Sequence, residues 1–208
     1  KHYMIVIGIG GGSGSGKTTF VNKLINSLSP KSVSLISQDA YYKHNPQIAE
    51  TERKKMNYDH PEAIEWSLLE KHITSLQKGD TVQQPAYSML TCLRTDQQVT
   101  ISPNKVLIVE GILILTQPEI RDLMSIKIFI DADADHRLMR VVKRDMEERG
   151  RDIDQVMTRY LNTVRPMHEQ FIEPSKRFAD IIVPVGGDNH VAIDLLSQYI
   201  AAQLSNSA

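Results

Sequence analysis

The amino-acid sequence predicts an α/β fold: a doubly wound parallel sheet with helices on both faces. Short β-branched runs alternate with helix-like stretches, and the runs are apolar at nearly every position. Strands buried on both faces have this continuous apolar pattern, because helices cover both sides of a parallel sheet. The composition, 208 residues with 41% hydrophobic and 24% charged, suits one well-packed domain over residues 1–208.

The predicted strands are 3–9, 32–37, 105–111, 126–131 and 180–185, and the predicted helices are 17–29, 61–77, 133–148, 154–171 and 190–204. Pro61 suits the first turn of its helix, Asp133 or Asp135 can cap the third helix, and Asn189 can cap the last. The segment 80–103 has strand-like halves, a proline and no helical period. It predicts an antiparallel β-hairpin insertion over one end of the sheet.

Charge and cysteine content argue against several classes of protein. The net charge is −1, so no basic field indicates nucleic acid or an anionic membrane as a partner. Cys92 is the only cysteine, which excludes an internal disulfide and a multi-cysteine zinc site. The apolar amino-terminal run is too short for a transmembrane helix and lacks a cleavage region. We therefore expect a cytoplasmic protein without membrane contact.

A phosphate-binding loop follows the first predicted strand. Residues 10–20 read GGGSGSGKTTF and match the pattern G-x-x-x-x-G-K-[ST] between a strand and a helix. Glycine amides and the helix N-terminus can bind a triphosphate, with Lys17 on the β- and γ-phosphates and the Thr18 hydroxyl on Mg²⁺. The predicted nucleotide contacts are Gly11, Gly12, Ser13, Gly14, Ser15, Gly16, Lys17, Thr18 and Thr19. The dinucleotide pattern G-x-G-x-x-G does not occur in residues 8–16, which argues against NAD.

Two acidic residues follow strands that end at the same edge of the predicted sheet. Asp39 comes after strand 32–37, and Glu110 lies at the end of strand 105–111. Ligands of open α/β sheets bind at this edge. One carboxylate can accept a proton from an attacking hydroxyl, and the other can orient Mg²⁺ or its waters. The alternative is that Asp39 is a turn residue and Glu110 a surface acid.

Arginines are concentrated around a predicted lid over residues 144–155. They are Arg137, Arg140, Arg144, Arg149 and Arg151, and the first three share one helical face. A mobile lid of this kind can stabilise the charge on a transferring phosphoryl group and exclude water. Gly150, between two of the arginines, favours a lid. The alternative is a solvated basic face paired with Asp145, Glu147 and Glu148.

Ordered segments along nearly the whole chain resemble the uridine kinase (uridine–cytidine kinase) family of P-loop nucleoside kinases, which is allied to phosphoribulokinase. These segments are GGSGSGKTT, SQDAYYK, NYDHPEAIEWSLL, QPAYS, VEGILIL, RDMEERGRD, TVRPMHEQFIEPSKRFADIIVP and GGDNHVAID. The resemblance implies a P-loop kinase fold and transfer of the γ-phosphoryl group of ATP or GTP to the 5′-hydroxyl of uridine or cytidine. It also implies a role in pyrimidine salvage, Mg²⁺ as cofactor, and a homo-oligomer that is commonly a tetramer.

The resemblance also assigns roles to individual residues. Asp39 is then the base for the 5′-hydroxyl proton, and Asp59 accepts hydrogen bonds from the ribose hydroxyls. The remaining implied positions are Tyr42, Tyr58 and Tyr87 lining the nucleoside pocket, Arg151 at the base, Lys17, Arg144 and Arg149 at the phosphates, and Thr18 and Glu110 at Mg²⁺. From the residues alone, Asp59 could cap the helix that follows, and the tyrosines could belong to the core.

The chain departs from the family pattern in the predicted acceptor pocket. Cys92 stands where many members have a base-reading histidine, and an aromatic near Met89 is missing. Val141 replaces the second residue of an RR pair, and Arg159 replaces the Gln of a QY pair. Arg159 could supply the missing guanidinium, or it could suit an anionic acceptor such as a pentose phosphate. We favour the nucleoside, because the other pocket residues are retained.

Two hypotheses from other classes are a nucleotide-hydrolysing switch or assembly protein and a catalytically weakened nucleoside sensor. The guanine-reading N-K-x-D pattern and the D-x-x-G pattern of switch proteins do not occur in the chain. Retention of Lys17, Thr18, Asp39 and Glu110 argues against a sensor.

Overall fold

The computed structural model describes residues 4–28 and 32–206, and within them five strands form one parallel sheet. The sheet strands are β1 (Ile5–Gly10), β2 (Val33–Ser37), β5 (Val106–Glu110), β6 (Ile126–Ile130) and β7 (Ile181–Val183), in the order β2-β5-β1-β6-β7. The predicted α/β parallel sheet is confirmed, with strand ends shifted by one or two residues. Position 3 of the first predicted strand and position 29 of the first predicted helix lie outside the described residues.

Helices cover both faces of the sheet. They are α1 (Lys17–Ser27), α2 (Glu50–Arg53), α3 (Trp66–Gln77), α4 (Pro118–Arg121), α5 (Ala134–Arg149), α6 (Ile153–Arg159) and α7 (His190–Asn206). Alternate β1 residues pack on opposite sides: Ile7 joins Phe20 and Ile200 in one core cluster, and Val6 joins Leu69 in the other. Both faces are therefore buried, which explains the continuous apolar strands. Among the described residues, no helix combines the length and apolar character needed to cross a membrane.

The predicted insertion forms a separate two-stranded antiparallel sheet. Its strands are β3 (Val82–Ser88) and β4 (Leu93–Ile101), which pair from Val82 with Ile101 to Ser88 with Leu93. The register shifts between Pro85 and Tyr87, because proline has no amide to donate to the partner strand.

The helix predicted over 61–77 begins later than expected. Pro61–Ala63 form one 3₁₀ turn, and Ile64 is extended and pairs with Tyr42 in an isolated β-bridge. Backbone hydrogen bonds on both sides of Ile64, at 2.9 and 2.8 Å, hold this pairing. The long-range bridge therefore prevents a helical conformation there, and α3 starts only at Trp66.

The helix predicted over 154–171 is longer and less regular than the sequence indicates. After α6, the helical segment continues to Phe178 through two π-helical stretches, Tyr160–Val164 and His168–Ile172. Each stretch ends two residues before a proline, Pro166 or Pro174. Proline cannot donate to the helix and its ring crowds the preceding turn, and a widened π turn relieves this crowding.

The predicted helix caps have different outcomes. Asn189 Oδ1 accepts a hydrogen bond from the Ala192 amide at 3.0 Å and caps α7 as expected. Asp133 occupies the N-cap position of α5 but makes no side-chain capping bond, and Asp135 lies inside the first turn. At α6, Asp152 and Gln155 form a reciprocal capping box that was not predicted.

Candidate active site

The phosphate-binding loop lies between β1 and α1, at the carboxyl edge of the sheet. Gly14 and Gly16 have φ angles of +76° and +93°, a region that favours glycine. A Cβ atom at Gly14 would overlap the carbonyl oxygen of Arg137, and one at Gly16 would overlap the amide nitrogen of Gly187. Neighbouring backbone thus holds the loop closely on both sides.

Lys17 spans the inside of this loop. Its side chain is buried, and its Nζ donates to the Gly12 carbonyl oxygen at 3.1 Å. Burial lowers the pKa of the Lys17 ammonium below its ordinary value, and the nearby carboxylates of Glu110 and Asp39 oppose this effect. The lysine is therefore a pre-positioned cation close to two acids.

These two acids lie at the ends of neighbouring strands. Because β1, β5 and β2 are adjacent and parallel, Glu110 pairs in register with both Ile9 and Ser37. The Ser37 hydroxyl donates to Glu110 Oε1 at 2.6 Å. Burial raises the pKa of Glu110, and Lys17 opposes the shift. Asp39 follows β2 in a 3₁₀ turn, Gln38–Tyr41, and is half-buried.

Three tyrosines form one wall of the cavity beyond these acids. The ring centroids of Tyr42 and Tyr58 are 5.3 Å apart, those of Tyr42 and Tyr87 are 5.1 Å apart, and those of Tyr58 and Tyr87 are 6.4 Å apart. Tyr42 is held there by the bridge to Ile64, and Tyr87 is held by β3 of the hairpin. The tyrosines contribute to the core and also line the cavity.

Asp59 lies beside this wall and is only 4% exposed. Its Oδ1 is 3.2 Å from Arg159 Nη2, whereas its Oδ2 has no hydrogen-bond partner within the described residues. Burial raises the pKa of Asp59, and the Arg159 guanidinium opposes the increase. Val141 is 2% exposed and does not line the pocket. Arg159 lines the pocket and places a guanidinium group there.

Cys92 lies in the turn between β3 and β4. Its amide donates to the Ser88 carbonyl at 2.8 Å, and its φ angle of +54° is unusual for a residue other than glycine. The thiol lies 3.7 Å from the Met89 carbonyl oxygen. Cys92 is buried and lines the same cavity as the tyrosines.

Three arginines of the predicted lid, together with Arg159 beyond it, surround one acid, Asp145. Arg144, Arg149, Arg151 and Arg159 all form ion pairs with its two carboxylate oxygens. Burial alone would raise the pKa of Asp145, but Arg149 and Arg144 hold it below its ordinary value. The chain direction changes at Gly150, which ends α5 in the left-handed conformation at φ +62°.

A single cavity of about 360 Å³ brings most of the predicted site residues together. They are Ser13, Gly14, Gly16, Lys17, Thr18, Thr19, Asp39, Tyr42, Tyr58, Asp59, Tyr87, Cys92, Glu110, Arg144, Arg149, Arg151 and Arg159. Gly11, Gly12 and Ser15 do not line it, because they are buried within the loop itself. The volume is in the range of small-molecule sites.

Sequence reasoning missed several contributors to this site, and three of them are Lys54, Met56 and Asp145. Lys54 and Met56 line the cavity from the segment around α2, which has no recognisable motif. Asp145 was considered only as a partner of a solvated basic face, but it is fully buried. The local signal for Asp145 was the high density of arginines on both sides of it.

Comparison with known proteins identifies the family. Residues 6–192 match the model of the Phosphoribulokinase / Uridine kinase family. The chain is 49% identical to a uridine kinase of Limosilactobacillus reuteri, over 94% of this chain and 90% of that protein. It is 50% identical to a uridine kinase of Brevibacillus brevis, over 94% of this chain and 92% of that protein.

A solved structure shows a related fold at much lower sequence identity. Phosphoribulokinase from Rhodobacter spheroides superposes with a TM-score of 0.68 at 18% identity, covering 91% of this chain and 74% of that chain. The fold, the phosphate-binding loop and the matched length together show that the chain is a member of the phosphoribulokinase/uridine kinase family.

Proposed function

We propose that the chain transfers the γ-phosphoryl group of ATP or GTP to the 5′-hydroxyl of uridine or cytidine, forming UMP or CMP. One observation carries this proposal: the phosphate-binding loop, Asp39 and the free oxygen of Asp59 line the same cavity. Two relatives that are named uridine kinase, and that are 49% and 50% identical over 94% of this chain, support the same activity.

The loop has the features that a nucleotide triphosphate requires. The left-handed glycines let backbone amides face an anion, and Lys17 adds a buried positive charge. Thr18 and Glu110 would hold Mg²⁺, which supplies additional neutralisation of the phosphate charge when bound.

Asp39 is the proposed proton acceptor for the attacking hydroxyl. It follows β2 at the carboxyl edge of the sheet and lines the same cavity as the loop and the tyrosines. Lys17, Arg144 and Arg149 would stabilise the negative charge that spreads over the transferring phosphoryl oxygens. Residues 144–155 would close over this reaction as a lid and exclude water.

Asp59 is the proposed ribose-binding residue. A carboxylate oxygen without a partner in a buried site can accept hydrogen bonds from vicinal hydroxyls. A deoxyribose would leave that acceptor partly unpaired, which makes discrimination steep. The tyrosines and Cys92 would contact the nucleoside, and Arg151 would reach the base side.

A pentose phosphate is less well supported as acceptor. This alternative depends on Arg159 being available to pair with an anionic sugar. The Arg159 guanidinium already contacts two carboxylates, Asp59 at 3.2 Å and Asp145 at 3.4 Å. Relatives that are 49% and 50% identical to the chain are named uridine kinase, which also favours the nucleoside.

Steady-state kinetics over an acceptor series tests the proposed function. Uridine, cytidine, nicotinamide riboside and ribulose 5-phosphate are compared at saturating MgATP, with ADP formation as the readout. A pyrimidine nucleoside should give the highest kcat/KM. A higher kcat/KM for ribulose 5-phosphate would contradict the proposal.

A homotetramer and a cytoplasmic location stay predictions. Light scattering coupled to size-exclusion chromatography measures the first, and a tetramer is the expected result.

A further inference from the structure

A continuous series of polar contacts joins the phosphate-binding loop to the proposed ribose site. Arg144 Nη2 lies 3.4 Å from Ser13 Oγ in the loop and 2.8 Å from Asp145 Oδ1. On the other side, Arg159 lies between two carboxylates, with Nη1 3.4 Å from Asp145 Oδ2 and Nη2 3.2 Å from Asp59 Oδ1. The donor and acceptor sides are thus connected through side chains.

Asp145 is the centre of this series and is 0% exposed. Its two oxygens are shared by the guanidinium groups of Arg144, Arg149, Arg151 and Arg159. The four guanidinium groups carry more positive charge than the carboxylates of Asp145 and Asp59 can balance. An anion that binds beside Arg144 and Arg149 would neutralise the excess.

We propose that Asp145 is a positioning residue through which the donor's phosphates strengthen binding of the nucleoside. Without phosphates, Arg144 and Arg149 pair with Asp145 Oδ1 and repel the Arg159 guanidinium, which pairs with Oδ2 of the same carboxylate. When phosphates pair with Arg144 and Arg149, this repulsion decreases and more of the Asp145 charge acts on Arg159, so Asp145 holds Arg159 more firmly. Arg159 then fixes the Asp59 carboxylate by Oδ1 and leaves Oδ2 available to the ribose.

This inference rests on the proposed function and predicts reciprocal coupling between the two ligands. Such couplings commonly change affinity about 5–150-fold. The nonhydrolysable analogue AMP-PNP with Mg²⁺ should lower the Kd of uridine at least about fivefold, and uridine should lower the Kd of AMP-PNP by the same factor. Isothermal titration calorimetry on the full chain, with each ligand alone and in the presence of the other, measures both factors.

Asp145→Asn and Arg159→Gln interrupt the series at different points. In each variant, the Kd of one ligand should change less than about twofold on addition of the other, while each ligand still binds alone. Arg159→Gln leaves Asp145 with three arginines, so it provides the test if Asp145→Asn does not fold. Asp135→Asn makes the same change at an exposed position of α5 outside residues 144–155, and it should retain the full coupling.

Three outcomes would overturn the inference. The first is that each ligand binds the unmodified chain with the same Kd whether or not the other ligand is present. The second is that the coupling persists in either folded variant. The third is that a folded Arg159→Gln variant no longer binds either ligand alone. If the unmodified chain phosphorylates uridine without coupling, only this inference fails. If it phosphorylates neither uridine nor cytidine, the proposed function fails as well.

Discussion

The phosphate-binding loop on the donor side is one stretch, residues 10–19, whereas the acceptor side draws on segments 39–42, 58–59, 87–92 and 151–159. On the donor side the backbone conformation of the glycines is decisive, and neighbouring backbone encloses the loop. On the acceptor side the contacts are between side chains from different elements, such as Arg159 with Asp59. A contiguous backbone motif is a property of the chain itself, but a side-chain pocket depends on how distant elements pack.

This difference predicts that the two sides respond differently to substitution. Changes on the donor side should remove turnover with every acceptor, because each acceptor uses the same phosphates. Changes on the acceptor side should alter which nucleoside reacts and at which pH, while nucleotide binding is retained.

The largest effect is expected for Lys17→Ala. The buried ammonium stabilises charge that develops on the phosphoryl oxygens, so kcat should fall about 10³–10⁵-fold with uridine and with cytidine alike. Coupled measurement of ADP formation gives the rate. Lys23→Ala is the control on the same helix, since Lys23 pairs with Asp188 at 2.6 Å outside the cavity, and it should stay close to the unmodified rate. A loss for Lys17→Ala that depends on the acceptor would contradict the separation of the two sides.

The second-largest effect on kcat is expected for Asp39→Asn, because Asp39 acts where the donor and acceptor sides meet. An amide cannot take the hydroxyl proton, so kcat should fall about 10²–10⁴-fold. Calorimetry should find ATP binding nearly intact. Asp96→Asn, an exposed acid on β4, provides the matched control. A loss of less than tenfold in Asp39→Asn would remove Asp39 from the role of base.

Arg159→Gln should act on the acceptor side alone and shift the pH dependence. Burial and Asp39 raise the pKa of Asp59, whereas Arg159, Arg144 and Arg149 lower it. Removing Arg159 should therefore raise this pKa. The ionised Asp59 accepts stronger hydrogen bonds from the ribose hydroxyls than the protonated form does. Because the pKa of Asp59 is higher in this variant, kcat/KM should begin to fall at a higher pH on acidification.

The measurement for Arg159→Gln is kcat/KM for uridine between about pH 5 and pH 9. At neutral pH the value should fall about tenfold, as for one hydrogen bond to a charged group. An acid limb that stays in place or moves to lower pH would show that Arg159 does not support the ionised form of Asp59.

Cys92→His should give the smallest change, and in the direction of a gain. A thiol is a weak donor and acceptor, whereas an imidazole can hydrogen-bond the edge of a pyrimidine. We expect kcat/KM for uridine to rise about three- to tenfold, the value of one added hydrogen bond. Unchanged efficiency with both pyrimidine nucleosides would mean that position 92 does not read the base.

The elements that could be predicted are those with local causes. Apolar strands and the loop motif are visible in contiguous residues, and the acids at strand ends follow from the parallel sheet. The start of α3 could not be predicted, because the bridge between Ile64 and Tyr42 is a long-range contact. The burial of Asp145 also escaped prediction, since it depends on four arginines from two helices and the loop between them.

The most direct test of the account is the stoichiometry of nucleotide consumption. The chain is incubated with MgATP, with and without uridine, and ³¹P NMR follows ADP, inorganic phosphate and uridine 5′-monophosphate. We predict that ADP forms only when uridine is present, in equal amount to the 5′-monophosphate and without inorganic phosphate. ADP and inorganic phosphate formed at a rate that uridine does not increase would contradict it.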